Sequence, residues 1–208
     1  MNQITQVLKR YRSKDNALAN PYQEYKLYEL KEMVTKYKAK SILEFGSGSS
    51  TCIFAQYAKR NNARLTSVDE SKEWLEHTRN VVGKIADDNN RICFIHADRV
   101  VDCTSDPKST SYDYNFAGEW DLVYVDGPTI RINNVRDKQV INYDVVRMIL
   151  AGHRPQVILV DVRQATAKYL AEHFFNLYDS KLSHLFDNNI KLGYQYHSVF
   201  ILRGGGNS

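Results

Sequence analysis

The feature that most constrains the fold is a short apolar segment that ends in an acidic residue and a glycine-rich turn. Ile42-Leu43 precedes Glu44, and the turn that follows reads Gly46-Ser47-Gly48-Ser49-Ser50-Thr51. Glycine lets the backbone turn tightly and approach a ligand without a Cβ in the way. A helix that begins at such a turn presents free N–H groups and the positive end of its dipole to a polar or anionic ligand. The pattern is typical of a cofactor loop in a βαβ unit, although Gly-Ser turns are also ordinary connectors.

Two acidic residues indicate which ligand groups the turn would meet. Glu44 lies two residues before the first glycine, where its carboxylate can contact a cationic group. Asp69 follows a second predicted strand, Arg64–Val68, and lies 21 residues after Gly48. A carboxylate at that spacing can accept hydrogen bonds from both hydroxyls of a ribose. The alternative for Asp69 is an acid at a helix N-terminus. The spacing favours the ribose role.

Glu44-Phe45-Gly46-Ser47-Gly48 resembles the first motif of the class I S-adenosylmethionine-dependent methyltransferases, which reads acidic-x-Gly-x-Gly. The resemblance extends to later motifs and covers roughly residues 40–203. It implies S-adenosylmethionine as cofactor, with its ammonium and sulfonium near Glu44. The residues that it implies for cofactor binding are Glu44, Gly46, Ser47, Gly48, Ser49, Ser50, Thr51, Asp69, Glu70, Asp98 and Asp126. Among them, Asp98 matches the acidic residue that this family places just beyond the third strand to accept from the adenine amino group.

The second strong motif is an apolar strand that ends in Asp126-Gly127-Pro128. This fourth strand is expected beside the first, at the switch point where ligands bind in open α/β sheets. Asp126 would then face both the methionine end of the cofactor and the acceptor, as a general base or an orienting group. The alternative is an aspartate that caps the turn. Arg131, in the next loop, can bind a carboxylate or a phosphate with its planar guanidinium, and we assign it to the substrate.

Asp161 follows the fifth strand and is the second residue assigned to the substrate. Asp126 and Asp161 match two metal-ligand positions of small-molecule O-methyltransferases of the catechol type. Val162 stands where that family has a polar ligand, so we assign no metal, and whether a divalent ion assists at Asp126 and Asp161 stays open. A fainter similarity to plant polysaccharide O-methyltransferases, through the Val-Asp-Gly-Pro turn and Asp161-Val162-Arg163, favours a sugar or acidic acceptor.

The fold expected from these motifs is α/β, a Rossmann-like three-layer sandwich. It has a mostly parallel seven-stranded sheet with a C-terminal antiparallel hairpin, plus N-terminal helices. We divide the chain into an N-terminal helical cap (1–39), a methyltransferase domain (40–203) and a flexible tail (204–208). Residues 99–119 are expected to form a loop, residues 135–150 and 163–177 helices, and residues 182–188 and 194–202 the final hairpin.

Composition limits the partners. The chain has 208 residues and a formal net charge of +4, too slight an excess to indicate nucleic-acid binding. No apolar run approaches the roughly 20 residues needed to span a bilayer. We therefore expect a cytoplasmic protein that binds a small-molecule acceptor, without nucleic acid or membrane, and the oligomeric state stays open. Two alternatives remain: an NAD-dependent oxidoreductase, which would leave Glu44 and the hairpin unexplained, and a non-catalytic module that keeps the fold.

Overall fold

The computed structural model describes residues 22–86, 91–116, 118–182 and 196–204. The helical pattern expected over residues 1–19, the helix start at Asn20-Pro21 and the end of the tail lie outside these ranges. Most of the first hairpin segment expected over residues 182–188 lies outside them as well. In chain order the elements are α1 (Tyr22–Lys36), β1 (Ser41–Phe45), α2 (Ser49–Asn61), β2 (Arg64–Asp69), α3 (Lys72–Ala86), β3 (Ile92–His96), β4 (Arg99–Asp102), β5 (Ser109–Tyr112), β6 (Leu122–Val125), β7 (Arg131–Ile132), β8 (Val135–Arg136), β9 (Ile141–Asn142), α4 (Asp144–Leu150), β10 (Val157–Val160), α5 (Gln164–His173), β11 (Tyr178–Lys181) and β12 (Ser198–Leu202).

Seven strands form the central sheet, in the spatial order β11-β12-β10-β6-β1-β2-β3. The strands β10, β6, β1, β2 and β3 are parallel to one another. β12 runs antiparallel to both β10 and β11. The expected fold class is therefore confirmed, including the fourth strand, β6, beside β1. Because these parallel strands all end at one edge, the residues that follow β1, β2, β6 and β10 lie along the same side of the sheet.

The centre of the sheet is buried on both faces. All residues of β1, β6 and β10 are buried, as expected for parallel strands covered on two sides. Along β1 the side chains alternate, so Ile42 packs in one apolar cluster and Leu43 in the other. Leu27, Leu30 and Val34 of α1 belong to the same cluster as Ile42 and are fully buried. α1 therefore packs in the core, in contact with α2.

Three segments differ from the sequence expectations. Residues 99–119 contain the antiparallel pair β4 and β5, and β5 pairs with β9 in a second, three-stranded sheet. The helix expected over residues 135–150 is wrong for its first half, because α4 begins only at Asp144. The helix expected to reach residue 177 ends at His173, and the first strand of the final hairpin is β11, earlier than expected. The four residues of β5, Ser109-Thr110-Ser111-Tyr112, show no apolar alternation, so tertiary pairing decides their conformation.

No helix within the described ranges has the length and apolar character needed to cross a bilayer.

Candidate functional site

The glycine turn begins where β1 approaches the end of β6. Gly46 has a φ of +92°, in the region that favours glycine, and its N–H donates to the carbonyl of Val68 at 2.8 Å. A Cβ at Gly46 would lie 2.7 Å from the backbone carbonyl carbon and oxygen of Asp126. A Cβ at Gly48 would meet no atom closer than 4.0 Å. The turn is therefore packed tightly against β6 at its first glycine and is open at its second.

Glu44 holds the turn from the inside. Its side chain is fully buried, and its two carboxylate oxygens accept hydrogen bonds of 2.6 Å from the hydroxyls of Ser50, Thr51 and Ser67. Burial raises the pKa of Glu44 to about 7, although the three hydroxyl donors act in the opposite direction. These bonds fix the first turn of α2 to β1 and β2. The expected contact between Glu44 and a cationic ligand group stays a prediction.

Asp69 orders the turn from the end of β2. One carboxylate oxygen accepts from the backbone N–H of Ser47 at 2.9 Å, and the other from that of Ser71 at 2.8 Å. Burial raises the pKa of Asp69 to about 6, against the opposing effect of the Ser71 N–H. A carboxylate oxygen has two acceptor positions, so each oxygen keeps a second one for a ligand hydroxyl.

Side chains of α3 and β2 also bind the glycine turn. The ring N–H of Trp74 donates to the carbonyl of Ser47 at 2.6 Å, and the Ser47 hydroxyl lies 2.7 Å from that of Ser67. Of the other turn residues assigned to the cofactor, Ser49 is buried, and the N–H of Gly48 donates to the hydroxyl of Thr51 at 2.8 Å.

Glu70 and Asp98 lie at the same edge with different surroundings. Glu70 accepts from the backbone N–H of Thr129 at 3.0 Å and from the hydroxyl of Tyr112 at 3.1 Å, so it joins the end of β2 to the segment after β6. The side chain of Asp98 is 86% exposed and lies 3.8 Å from the Nε2 atom of His96. The three carboxylates at 44, 69 and 98 therefore follow the same strand edge, with burial that decreases from β1 to β3.

A second group of charged residues gathers over the ends of β6 and β10. The ammonium of Lys26, on α1, donates to Asp161 at 2.6 Å and to Asp126 at 3.1 Å. A guanidinium nitrogen of Arg163 lies 3.5 Å from a carboxylate oxygen of Asp126 and donates to the carbonyl of the same residue. The structure thus brings together Asp126 and Asp161, as the motifs predicted, and adds two cations.

Two further residues, Glu29 and His197, lie next to this cluster. One carboxylate oxygen of Glu29 accepts from the ring Nδ1 of His197 at 2.6 Å and from the backbone N–H groups of Tyr196 and His197. The other ring nitrogen of His197 lies 4.0 Å from Asp161. Glu29 lies three positions after Lys26 on α1, so one helix face reaches both Asp161 and the residues that lead into β12.

The residues of the cluster that the sequence interpretation did not assign to the site are Lys26, Glu29, Arg163 and His197. Arg163 had a signal, since it comes two positions after Asp161 at a strand end. The other three belong to an amphipathic helix and to a single histidine in the C-terminal segment, which carry no motif.

The cluster separates the proton affinities of its two aspartates. Burial raises the pKa of Asp126 and so does the neighbouring Asp161, while Lys26 and Arg163 lower it only in part. Burial alone would also raise the pKa of Asp161, but Lys26 and His197 outweigh it and hold that pKa below its usual range. Burial acts to lower the pKa of Lys26, yet the two carboxylates raise it above its ordinary value. Asp161 therefore stays ionised, and Asp126 is the better proton acceptor of the two.

A cavity of about 170 Å³ opens beside Arg163. Its lining carries three cations and no acidic residue and consists of Ile130, Arg136, Lys138, Val140, Val162, Arg163 and Gln164. A neighbouring groove shares Lys138 and Gln164 and adds Lys168. Arg131, the residue assigned to the substrate, is exposed on β7 opposite Arg136 and does not line this cavity. We refer to this cavity, with Arg136, Lys138 and Arg163 in its lining, as the basic cavity.

The structure also bears on a metal at Asp126 and Asp161. In residues 22–86, 91–116, 118–182 and 196–204, no group of three or more His, Cys, Asp or Glu side chains could hold a metal ion. Lys26 already places an ammonium against both aspartates, and Val162 provides no ligand atom. This set of side chains does not fit a divalent cation.

Comparison with known proteins agrees with this geometry. Residues 43–140 match the sequence profile of a family described as a methyltransferase domain. The structure aligns with that of an SAH-bound methyltransferase, PaMTH1 from Podospora anserina, with a TM-score of 0.64 and 17% identity over 98% of this chain and 89% of that one. Residues 43–140 are thus similar to a methyltransferase domain, and the chain shares the fold of this SAH-bound methyltransferase.

The chain is also similar in fold to two O-methyltransferases. TomG from Streptomyces achromogenes, in complex with SAM, aligns with a TM-score of 0.59 and 14% identity over 98% of this chain and 91% of that one. An O-methyltransferase from Bacillus cereus, in complex with SAH, aligns with a TM-score of 0.56 and 15% identity over 96% of this chain and 90% of that one. No curated protein matches the chain significantly.

Proposed function

We propose that this chain is a methyltransferase that transfers the methyl group of S-adenosylmethionine to an oxygen of an acidic small molecule, with Asp126 as the general base. The observation that carries the proposal is the position of Asp126. It follows β6, its backbone lies against the first glycine of the turn, and its carboxylate belongs to the charged cluster beside the basic cavity. One residue thus lies between the proposed cofactor side and the proposed acceptor side.

The cofactor side is proposed along the ends of β1, β2 and β3. The turn from Gly46 to Thr51 would hold the methionine part, since the space beside Gly48 is open and α2 begins there. Asp69, with Glu70 next to it, would accept from the ribose hydroxyls through its remaining acceptor positions. Exposed Asp98 would accept from the adenine amino group. The structures of PaMTH1 and of the B. cereus enzyme, both crystallised with SAH, and of TomG with SAM, support this choice of cofactor.

In the proposed reaction the protein has two tasks, which are to align the two reactants and to accept a proton. S-adenosylmethionine would supply a methyl group on a sulfonium, and transfer is an in-line displacement that depends on alignment of the two reactants. Asp126 would accept the proton that the acceptor hydroxyl loses as its oxygen bonds to the methyl carbon. The raised pKa of Asp126 suits this role, because a more basic carboxylate takes a hydroxyl proton more readily.

The basic cavity supports an acidic acceptor. Its three cations have no acidic partner among the lining residues, and a guanidinium binds a carboxylate or a phosphate in a planar, two-bonded geometry. Arg163 also contacts Asp126, so an anion bound in this cavity would lie next to the proposed base. The positive charge favours an acidic molecule over a neutral sugar.

The first experiment is calorimetry with S-adenosylhomocysteine and NAD in parallel. Binding of S-adenosylhomocysteine without binding of NAD is expected, and a preference for NAD would favour the oxidoreductase alternative.

The second experiment is a transfer assay with methyl-labelled S-adenosylmethionine and matched acceptors. Hydroxybenzoates, uronic acids and hydroxylated phosphate esters are compared with the neutral esters or sugars of the same skeleton. We expect transfer to an acidic member of a pair and loss of that transfer, by roughly 10²- to 10⁴-fold, in Asp126→Asn. S-adenosylhomocysteine binding with no transfer to any acceptor would favour the non-catalytic module.

A further inference from the structure

The charged cluster presents a cation at the place where the catechol-type resemblance implies a metal. Lys26 Nζ lies 2.6 Å from Asp161 and 3.1 Å from Asp126, the two residues at the matching positions. The Lys26 side chain is 12% exposed and that of Asp161 is 5% exposed. The contact is therefore an inner part of the site and not a surface ion pair.

The surroundings of the two aspartates are built for an ammonium and not for a divalent ion. A divalent ion bound by the same carboxylate oxygens would have to displace the ammonium, because two cations cannot share those oxygens at contact distance. Arg163 adds a second positive charge, 3.5 Å from the carboxylate oxygen of Asp126 that Lys26 does not contact. Val162, directly after Asp161, offers a hydrocarbon where an oxygen ligand would be needed.

The position of Lys26 is fixed by the rest of α1. Leu27 and Leu30 on the same helix are fully buried, and Glu29 binds the backbone and side chain of His197. An ammonium has three N–H donors, and two of them go to the aspartates. The third donor can bind an oxygen of the methyl acceptor. The ammonium also lies over the ring of Tyr124, with Nζ 5.8 Å from the ring centre.

We propose that Lys26 takes the place of a divalent metal in this methyltransferase and supplies the fixed positive charge next to the acceptor oxygen. The proposal rests on the proposed function, in which Asp126 faces the acceptor. It assigns Lys26 two tasks, which are to keep Asp126 and Asp161 together and to stabilise the negative charge that develops on the acceptor oxygen as its proton leaves.

Manganese binding tests the proposal without an identified acceptor. Electron paramagnetic resonance with Mn²⁺ alone, in the presence and absence of S-adenosylhomocysteine, is measured for the wild-type chain, Lys26→Ala and the control Lys31→Ala. Lys31 is exposed on the same helix. The wild-type chain and Lys31→Ala should leave Mn²⁺ free. Lys26→Ala exposes two adjacent carboxylates, which suit Mn²⁺, and should bind the ion at least roughly tenfold more tightly than the wild-type chain.

The outcomes distinguish a failure of this proposal from a failure of the proposed function. Mn²⁺ bound by the wild-type chain at one ion per molecule would overturn the role of Lys26, and this measurement needs no variant to fold. Equal Mn²⁺ binding by wild-type and correctly folded Lys26→Ala, as judged by circular dichroism, would overturn it as well. Failure of the wild-type chain to bind S-adenosylhomocysteine in calorimetry would instead overturn the proposed function. Retained S-adenosylhomocysteine binding in Lys26→Ala, together with newly acquired Mn²⁺ binding, is the expected result.

Discussion

Gly46 and Gly127 touch across the ends of β1 and β6. A Cβ at Gly46 would lie 2.8 Å from the backbone nitrogen of Gly127, and a Cβ at Gly127 would lie 2.6 Å from that of Gly46. The same Cβ at Gly127 would lie 2.3 Å from the hydroxyl of Tyr112. The glycine turn and the Asp126 turn therefore form one packed unit, and neither can accept a side chain without moving the other.

Alanine at Gly46 tests this contact. The added methyl would collide with backbone atoms at a φ of +92°, so we expect Gly46→Ala to lower the free energy of unfolding by about 2–4 kcal/mol. Urea denaturation measures the change. Gly83→Ala is the control, because a Cβ there meets nothing within 4 Å in α3, and alanine should raise stability by about 0.5–1 kcal/mol. Equal stability of Gly46→Ala and the wild-type chain would contradict the close packing.

Asp69→Ala tests the ribose assignment. The variant loses a carboxylate that would accept from the ribose and that also orders Ser47, so S-adenosylhomocysteine should bind about 1–3 kcal/mol more weakly in calorimetry. Glu76→Ala, which removes an exposed acid from the following helix, should leave the affinity unchanged. An unaltered affinity in Asp69→Ala would count against a role in ribose binding.

The stability of the protein should fall as the pH rises from about 4.5 to about 7. Burial raises the pKa of Glu44 from 4.5 to about 7, so in this range the folded state binds more protons than the unfolded state. Its contribution is fully present below the unfolded pKa and is lost as the pH passes the folded pKa. The loss is about 3 kcal/mol at roughly 1.4 kcal/mol per pKa unit.

Urea denaturation at a series of pH values checks this slope. Glu44→Gln removes the titrating group, so its curve should be flatter than that of the wild-type chain over the same range. Asp69 and Asp144, whose pKa values burial raises to about 6 and about 7, should preserve part of the slope in that variant. Parallel curves for the two proteins would show that Glu44 does not titrate in this range.

Glu29→Ala tests the link between α1 and the segment before β12. The substitution leaves the backbone N–H groups of residues 196 and 197 and the buried ring of His197 without their acceptor, which should cost roughly 1–3 kcal/mol of stability. Thermal and urea denaturation measure it. Glu32→Ala, at an exposed position of the same helix, should change stability by less than about 0.5 kcal/mol. A similar loss in both variants would argue against a specific link.

The strands of the sheet and the glycine turn could be predicted because their sequence signals are local. Continuous apolar runs such as Leu122–Val125 identify buried parallel strands, and a carboxylate or glycine directly after such a run must lie at the edge where ligands bind. The pairs β4–β5 and β5–β9 were missed because their short strands contain few apolar residues. Their conformation depends on partners distant in the chain, such as Ile141 for Ser109.

The charged cluster was only half predictable. Asp126 and Asp161 end strands and could be recognised, but Lys26 lies 135 positions before Asp161, and Glu29 lies 168 positions before His197. No spacing rule connects residues that distant. Glu44 shows the complementary case, since its position was clear from the motif, but its burial under three hydroxyls became visible only in the structure.

Because Glu29 bonds to residues 196 and 197, the two halves of the site are completed at different times during synthesis. The glycine turn and Asp69 leave the ribosome with the first third of the chain, whereas Asp126 and Gly127, which pack against Gly46, follow later. The lysine side cannot be secured until the last strand emerges, because its anchor on α1 waits for that segment. Co-translational folding would therefore form the Ser47–Asp69 contact first, then the packing of the glycine turn against Asp126, and the lysine side last.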